Sequence, residues 1–313
     1  MDRTSAFCPK GLFRRVIMPL SELEAYYCAR RKHRFEQGKK LKYIRLREVF
    51  YPVFATFLRL DRFFRKQTII VMGNQKKYRE CTIFACTHIG ENDLENIYEV
   101  LHRSCWWFVG DPCVLYKDIS GLLLYLNGCI FLETNDKDDR HIAYLRAVEL
   151  LKGGGSLMIF PEGARNGSEN LPVMALFQGT ANMAIKTNAK IVPVAIEQYD
   201  KRFVVNIGTE ISPETHLDSV ELTQVLRDEL ASLKWEIWER EGLLSRDSLT
   251  EDYKEQFIKA FEKRIQPYDT LESVERTRFH TKAEIEQKDA FFHLDKLILS
   301  RRNAFLWNKQ CHH

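Results

Sequence analysis

The chain has 313 residues, of which 45% are hydrophobic and 29% charged, with a net charge of +4. That length allows one large α/β domain or a domain with appendages, and the composition is that of a soluble globular protein. The longest apolar run, Gly121–Leu132, is broken by Asn127 and Gly128 and is too short to cross a bilayer.

The charge is polarised. Residues 1–66 hold 17 Lys+Arg against 6 Asp+Glu, and the remainder 30 against 37. A basic amino-terminal arm on a mildly acidic body implies an anionic partner, either a membrane surface or nucleic acid. Met1–Lys10 has no apolar core, so nothing there reads as a signal peptide. The basic cluster Arg30-Arg31-Lys32-His33-Arg34 precedes an amphipathic stretch, Leu41–Phe64, rich in Phe with Arg between. Pro52 divides that stretch into two helices, because it removes a mid-helix hydrogen bond. Its Phe stripe suits a membrane interface or packing on the main domain, and different faces can serve both. No nucleic-acid-binding motif accompanies the arm, and the Phe content favours lipid.

Strands are expected at Gln67–Gly73 and Cys81–Cys86, then a helix from Asp93 to about Arg103 with apolar residues at Leu94, Ile97, Tyr98 and Leu101. Cys105–Val109 reads as a strand, Leu122–Leu126 as a buried helix end turning at Asn127-Gly128, and Cys129–Leu132 as a strand. Asn135–Asp139 opens a helix carrying Ile142, Leu145, Val148 and Leu151, stopped by Gly153-Gly154-Gly155. Ser156–Phe160 reads as a strand, Ala175–Lys186 as a helix, and Ile191–Ile196 and Phe203–Ile207 as strands. Strands alternating with helices predict an α/β fold with a largely parallel mixed sheet flanked by helices. Beyond Asp218, which caps with Glu221, lie a stripe of Leu222, Leu226, Leu230, Leu233 and Ile237 and another of Tyr253, Phe257, Phe261 and Ile265 ended by Pro267. A last helix starts at Thr281 with Glu284 and runs through Leu297. The expected organisation is a basic amphipathic arm over 1–66, a core over 67–210 and a helical extension packed on it over 211–313.

The eight cysteines are scattered, with no C-x-x-C pair and no metal-ligand spacing. They read as reduced thiols in a cytosolic compartment, and no metal site is expected.

One stretch carries chemistry. Thr82–Leu94 reads TIFACTHIGENDL. It places His88 at the carboxyl end of a strand and Asp93 in the first turn of the next helix, on the edge of an open α/β sheet where ligands bind. A carboxylate on one imidazole nitrogen fixes the tautomer and stabilises the cation formed when the other takes a proton.

Four blocks, HIGEND (His88–Asp93), GCIFLE (Gly128–Glu133), FPEGAR (Phe160–Arg165) and IVPVAI (Ile191–Ile196), stand in an order and spacing that resemble the glycerolipid acyltransferase family, the 1-acyl-glycerol-3-phosphate acyltransferases and their relatives. The resemblance covers roughly Gln67–Gly208. It implies that His88 is a general base oriented by Asp93, activating an acceptor hydroxyl to attack an acyl thioester carried by coenzyme A or acyl carrier protein. No acyl-enzyme and no further cofactor are implied. It assigns the acceptor phosphate to Arg165 and Gly163, with Glu162 holding the loop. The family's block-two Arg, a second phosphate ligand, is Thr134 here, and Lys137 or Arg140 on the following turn are its possible substitutes. The implied acceptor is a lysophosphatidate giving phosphatidic acid; another alcohol or amine acceptor, and a non-enzymatic binding protein, are the alternatives. The expected setting is the cytosolic face of a membrane, with the arm docked peripherally on anionic lipid.

Overall fold

The computed structural model describes residues 9–262, apart from 79, 91, 113–114, 167–170, 216–217, 243–246 and 248–249. Pro267 and the helix expected from Thr281 lie outside the described residues.

Seven strands form one sheet: β1 (Thr68–Gly73), β2 (Thr82–Cys86), β3 (Trp106–Gly110), β4 (Cys129–Leu132), β5 (Leu157–Ile159), β6 (Lys190–Tyr199) and β7 (Arg202–Ile207), in the spatial order β1-β7-β6-β2-β5-β3-β4. β6, β2, β5, β3 and β4 run parallel, so their carboxyl ends share one edge. β7 returns antiparallel to β6 through a tight turn with Asp200 in the left-handed region, and β1 runs parallel to β7. The result is the mostly parallel mixed sheet that the alternating pattern predicts.

Both faces of the central strands are buried, as parallel strands require. Ile83 and Ala85 point to one face, under α7 (Lys137–Lys152), α8 (Gly179–Thr187) and α9 (Ser219–Glu241). Phe84 and Cys86 point to the other, under α4 (Tyr51–Phe64) and α5 (Asp93–Val100), with α6 (Ile119–Asn127) alongside. α7 starts where Asp136 accepts the Asp139 amide, and α9 where Asp218 accepts the amides of Val220 and Glu221. α8 begins at Gly179 rather than at Ala175, because Phe177 is held by a different contact: its amide donates to Pro161 O at 2.9 Å.

The amino-terminal arm is helical throughout much of its length. α1 (Pro9–Ile17) and α2 (Leu20–Glu36) precede α3 (Ile44–Glu48) and α4, and Pro52 sits in the first turn of α4, where its missing amide costs nothing. α4 has two apolar faces. Phe54, Ala55 and Leu58 are buried, while Val53, Phe57, Leu60, Phe63 and Phe64 are exposed. Much of the arm's positive charge is engaged with the body. Arg31 Nη2 lies 2.6 Å from the buried Asp139 and 3.3 Å from Glu133; Lys32 pairs with Asp136 at 2.6 Å. Arg47 donates to the carbonyls of Tyr125 and Leu126 and lies over the Trp106 ring. Arg62 forms a two-pronged pair with Glu99, 2.9 Å at each contact.

The described cysteines Cys28, Cys81, Cys86, Cys105 and Cys129 are all free, and Cys28, Cys86 and Cys105 are buried. No helix among the described residues is long and apolar enough to cross a membrane.

Candidate active site

The shared carboxyl edge of the parallel strands gathers the chemistry. β2 ends at Cys86, Thr87 follows, and His88 comes next. Thr87 takes over where the ladder stops: its amide donates to Val194 O at 3.0 Å, and its hydroxyl accepts the Ile196 amide at 3.1 Å. This anchors the residue before His88 to β6.

His88 Nδ1 lies 2.6 Å from Asp93 Oδ2. The same oxygen accepts the amides of Ile89 at 2.8 Å and Gly90 at 3.1 Å, so one carboxylate both closes the strand-to-helix turn and orients the imidazole. Asp93 is the first residue of α5 and 1% exposed, whereas the His88 side chain keeps 20% of its surface open. Burial alone pushes the Asp93 carboxyl up, but the charge and hydrogen bond of His88 and the two amides outweigh it and hold it below its ordinary value. With Nδ1 engaged by the carboxylate, Nε2 is the ring nitrogen left to exchange a proton. The Phe160 ring stacks on the imidazole, centroids 4.2 Å apart and planes within 16°.

The loop after β5 closes on His88 from the neighbouring strand. Glu162 is 4% exposed and holds two backbone amides, His88 N at 3.4 Å on Oε1 and Met174 N at 2.8 Å on Oε2. The Asn166 amide donates to His88 O at 2.9 Å. Burial pushes the Glu162 carboxyl above its ordinary value, with the amides and the charges of Lys234 and His88 opposing. Gly163 adopts φ +70°, and a Cβ there would stand 2.4 Å from Phe177 Cε2. Glycine is required by the turn and by the Phe177 ring. Arg165 follows on the same loop and is half-buried.

The block-two end is built differently. β4 lies three strands from β2, about 14 Å at ordinary strand spacing. Thr134, just past β4, donates its amide and hydroxyl to Asp111 at 2.9 and 2.7 Å. Arg140 donates to the Thr134 carbonyl, and Lys137 is the exposed first residue of α7. Oxygens of Glu24, Asp111 and Glu133 lie within 4.8 Å of one another, and burial together with Glu24 pushes the Glu133 carboxyl up. Three carboxylates gather at this end of the edge, with Arg31 on Glu133 and Arg140 on the Thr134 carbonyl, where the family resemblance implies a cation at position 134 itself.

The structure brings His88, Asp93 and Glu162 together, and Arg165 and Gly163 share the Glu162 loop. Thr134, Lys137 and Arg140 cluster apart from them. Sequence reading missed Phe160 as the ring under the imidazole and Thr87 as its anchor. The apolar residue closing strand Ser156–Phe160 just before Pro161 was the available signal for the first, and a hydroxyl residue at the end of a buried strand for the second.

The chain is similar to known proteins in sequence and in fold. Residues 68–197 match the family model described as Acyltransferase. A protein of Borreliella burgdorferi named 1-acyl-sn-glycerol-3-phosphate acyltransferase is 28% identical over 176 residues, which are 54% of this chain and 64% of that protein, less than two thirds of its length. The fold is similar to the crystal structure of the 1-acyl-sn-glycerophosphate (LPA) acyltransferase PlsC from Thermotoga maritima, with a TM-score of 0.52 and 18% identity over 68% of this chain and 88% of that one. Residues 68–197 are thus similar in sequence to the Acyltransferase family, and the sheet is similar in fold to the PlsC structure.

Proposed function

We propose that the protein is an O-acyltransferase that moves a fatty acyl group from a thioester, acyl-coenzyme A or acyl carrier protein, to the free hydroxyl of 1-acyl-glycerol-3-phosphate, giving phosphatidic acid. The observation that carries this reading is the His88–Asp93 pair, 2.6 Å apart on the ligand-binding edge of the sheet. His88 Nε2 takes the hydroxyl proton as the acceptor oxygen bonds to the thioester carbonyl carbon. The tetrahedral adduct then expels the thiolate, which leaves as the thiol with that proton. Asp93 stabilises the imidazolium formed between the two steps, a contribution of ~10²–10⁴-fold for such a base. Arg165 supplies a planar fork of donors for the acceptor phosphate, and Gly163 lets the backbone approach it. No metal or further cofactor enters these steps.

The acceptor and product live in a bilayer, and the protein works peripherally on the cytosolic face in this reading. The outward face of α4, with Val53, Phe57, Leu60 and Phe64 at helical spacing, and the exposed Phe13, Val16 and Ile17 of α1 support docking by apolar insertion. The cations that remain on the arm add anionic-lipid attraction, ~1 kcal/mol each near the surface.

One observation favours a second reading. The acidic cluster at Thr134 suits an acceptor without a bare phosphate at that end, such as another lysolipid, an alcohol or an amine. Acyl release from a thioester donor, scanned over acceptors with His88→Ala alongside, tests both. Turnover confined to lysophosphatidate and abolished in the variant supports the first reading. A preference for an acceptor lacking a phosphate monoester supports the second. Absence of His88-dependent transfer to any acceptor overturns both.

A further inference from the structure

α9 lies beyond residues 68–197, the stretch matched to the acyltransferase family. Its apolar row, Leu222, Leu226, Leu230, Leu233 and Ile237, packs on the sheet and on α8. Beside that row, and seven residues apart so that they share a face, stand two cations, Arg227 and Lys234.

Arg227 grips the loop that holds Glu162. Its Nε donates to Met174 O at 3.2 Å and its Nη2 to Val173 O at 3.3 Å. The amide of the same Met174 donates to Glu162 Oε2, and Glu162 Oε1 accepts the amide of His88. Lys234 acts on the other side of His88. It is 2% exposed, and its Nζ donates to Ile196 O at 2.8 Å and to Glu197. The amide of Ile196 donates to the hydroxyl of Thr87, the residue before His88. Trp238 Nε1 also donates to Glu197, at 3.2 Å. A buried ammonium is costly to desolvate, and packing α9 on the sheet does not need one. Both cations end on the segments that flank His88.

We propose that Arg227 and Lys234 are positioning residues for acyl transfer, holding Glu162 and Thr87 and, through them, gripping the Thr87–His88 backbone from the sides of β5 and β6. The inference rests on the function proposed above. Neither side chain touches a reacting atom; each fixes where Nε2 points relative to the acceptor hydroxyl.

The test uses Arg227→Gln, Arg227→Lys and the double variant Lys234→Met/Glu197→Gln, which avoids leaving Glu197 charged and unpaired if Lys234→Met alone fails to fold. Two quantities are read well below each melting temperature: kcat and KM with a thioester donor, and the NMR shifts of the His88 ring without substrate. The expected result is a fall in kcat of about ten- to a hundredfold, donor KM unchanged, partial rescue by Arg227→Lys, and displaced His88 shifts. Folded variants with native kcat and native His88 shifts overturn the proposal. If the native protein transfers no acyl group, the functional reading falls, and the His88 shifts alone then decide: displaced shifts sustain the positioning role, and native shifts end it.

Discussion

One carboxylate oxygen of Asp93 takes three donors, the imidazole Nδ1 of His88 at 2.6 Å and the amides of Ile89 and Gly90 at 2.8 and 3.1 Å. Orientation of the imidazole and closure of the turn therefore share a single atom. Asp93→Asn keeps the size and one carbonyl oxygen but removes the charge that steadies the imidazolium. The expected loss in kcat is ~10²–10⁴-fold, with donor KM little changed. Asp93→Ala also strips the turn of its acceptor and is expected to cost a further ~1–3 kcal/mol of stability. Steady-state kinetics beside urea unfolding separates the two effects, and equal stability of the Asn and Ala variants would contradict the shared role.

The depressed Asp93 carboxyl has a pH signature. A carboxylate held below its unfolded value adds stability that is present above about pH 4 and lost as pH falls through the folded value. The difference in unfolding free energy between the native protein and Asp93→Asn is expected to be full near pH 6 and to shrink progressively below about pH 4. Urea titrations from pH 7 to pH 3 measure it. A difference that stays constant through pH 3 would rule the charge out.

Gly163→Ala is expected to impair the loop twice over. The φ of +70° disfavours any side chain, by roughly 1 kcal/mol, and the new Cβ displaces the Phe177 ring. Phe177→Leu in the same chain relieves the second effect and leaves the first. Melting temperatures and kcat of the single and double variants check this, with the double variant intermediate.

Arg31 lies in the basic cluster, yet its guanidinium reaches the buried Asp139, the Tyr116 hydroxyl and Glu133. Arg31→Met leaves Asp139 without its cation and is expected to lower stability by ~3 kcal/mol, the low end for a broken buried pair because the Arg31 side chain is 20% exposed. Chemical denaturation reads the loss. An unchanged midpoint would return Arg31 to the set of cations able to meet lipid.

Docking by α4 predicts that Phe57→Ser and Phe64→Ser weaken vesicle binding, each by ~1.5–3 kcal/mol if the ring is fully inserted. Sedimentation with neutral and with anionic vesicles separates apolar insertion from charge. Unaltered partition of both variants would remove α4 from the interface.

The sheet was legible because its strands are apolar on both faces and bounded by polar turns, so β2 and β6 stand out as uninterrupted runs. α2 was not legible as a packing element. Only Leu23, Tyr27 and Cys28 of it are buried, and its hold on the body is partly ionic, through Arg31 and Lys32. Hydrophobic periodicity is blind to that kind of contact. In the site, the four residues between His88 and Asp93 span one turn, and spacing finds such pairs. Phe177 and Arg227 meet the Glu162 loop at Gly163 and Met174, across 14 and 53 positions of chain, where no local pattern connects them. The helix expected from Ala175 begins four residues late for the same reason: Phe177 is taken up by Pro161 and Gly163.

The sulfur atoms of the core bear on the chemistry in another way. Thioester exchange with a protein thiol proceeds through the thiolate. Burial pushes the thiol of Cys28 up to about 11 and raises Cys86, two residues before His88, well above the ordinary range, with Cys105 and Cys129 also raised. At neutral pH these four sulfurs are almost wholly protonated and poor rivals to the acceptor hydroxyl. In the proposed reaction, a thioester donor at the His88 edge therefore meets no ready protein thiolate among these four.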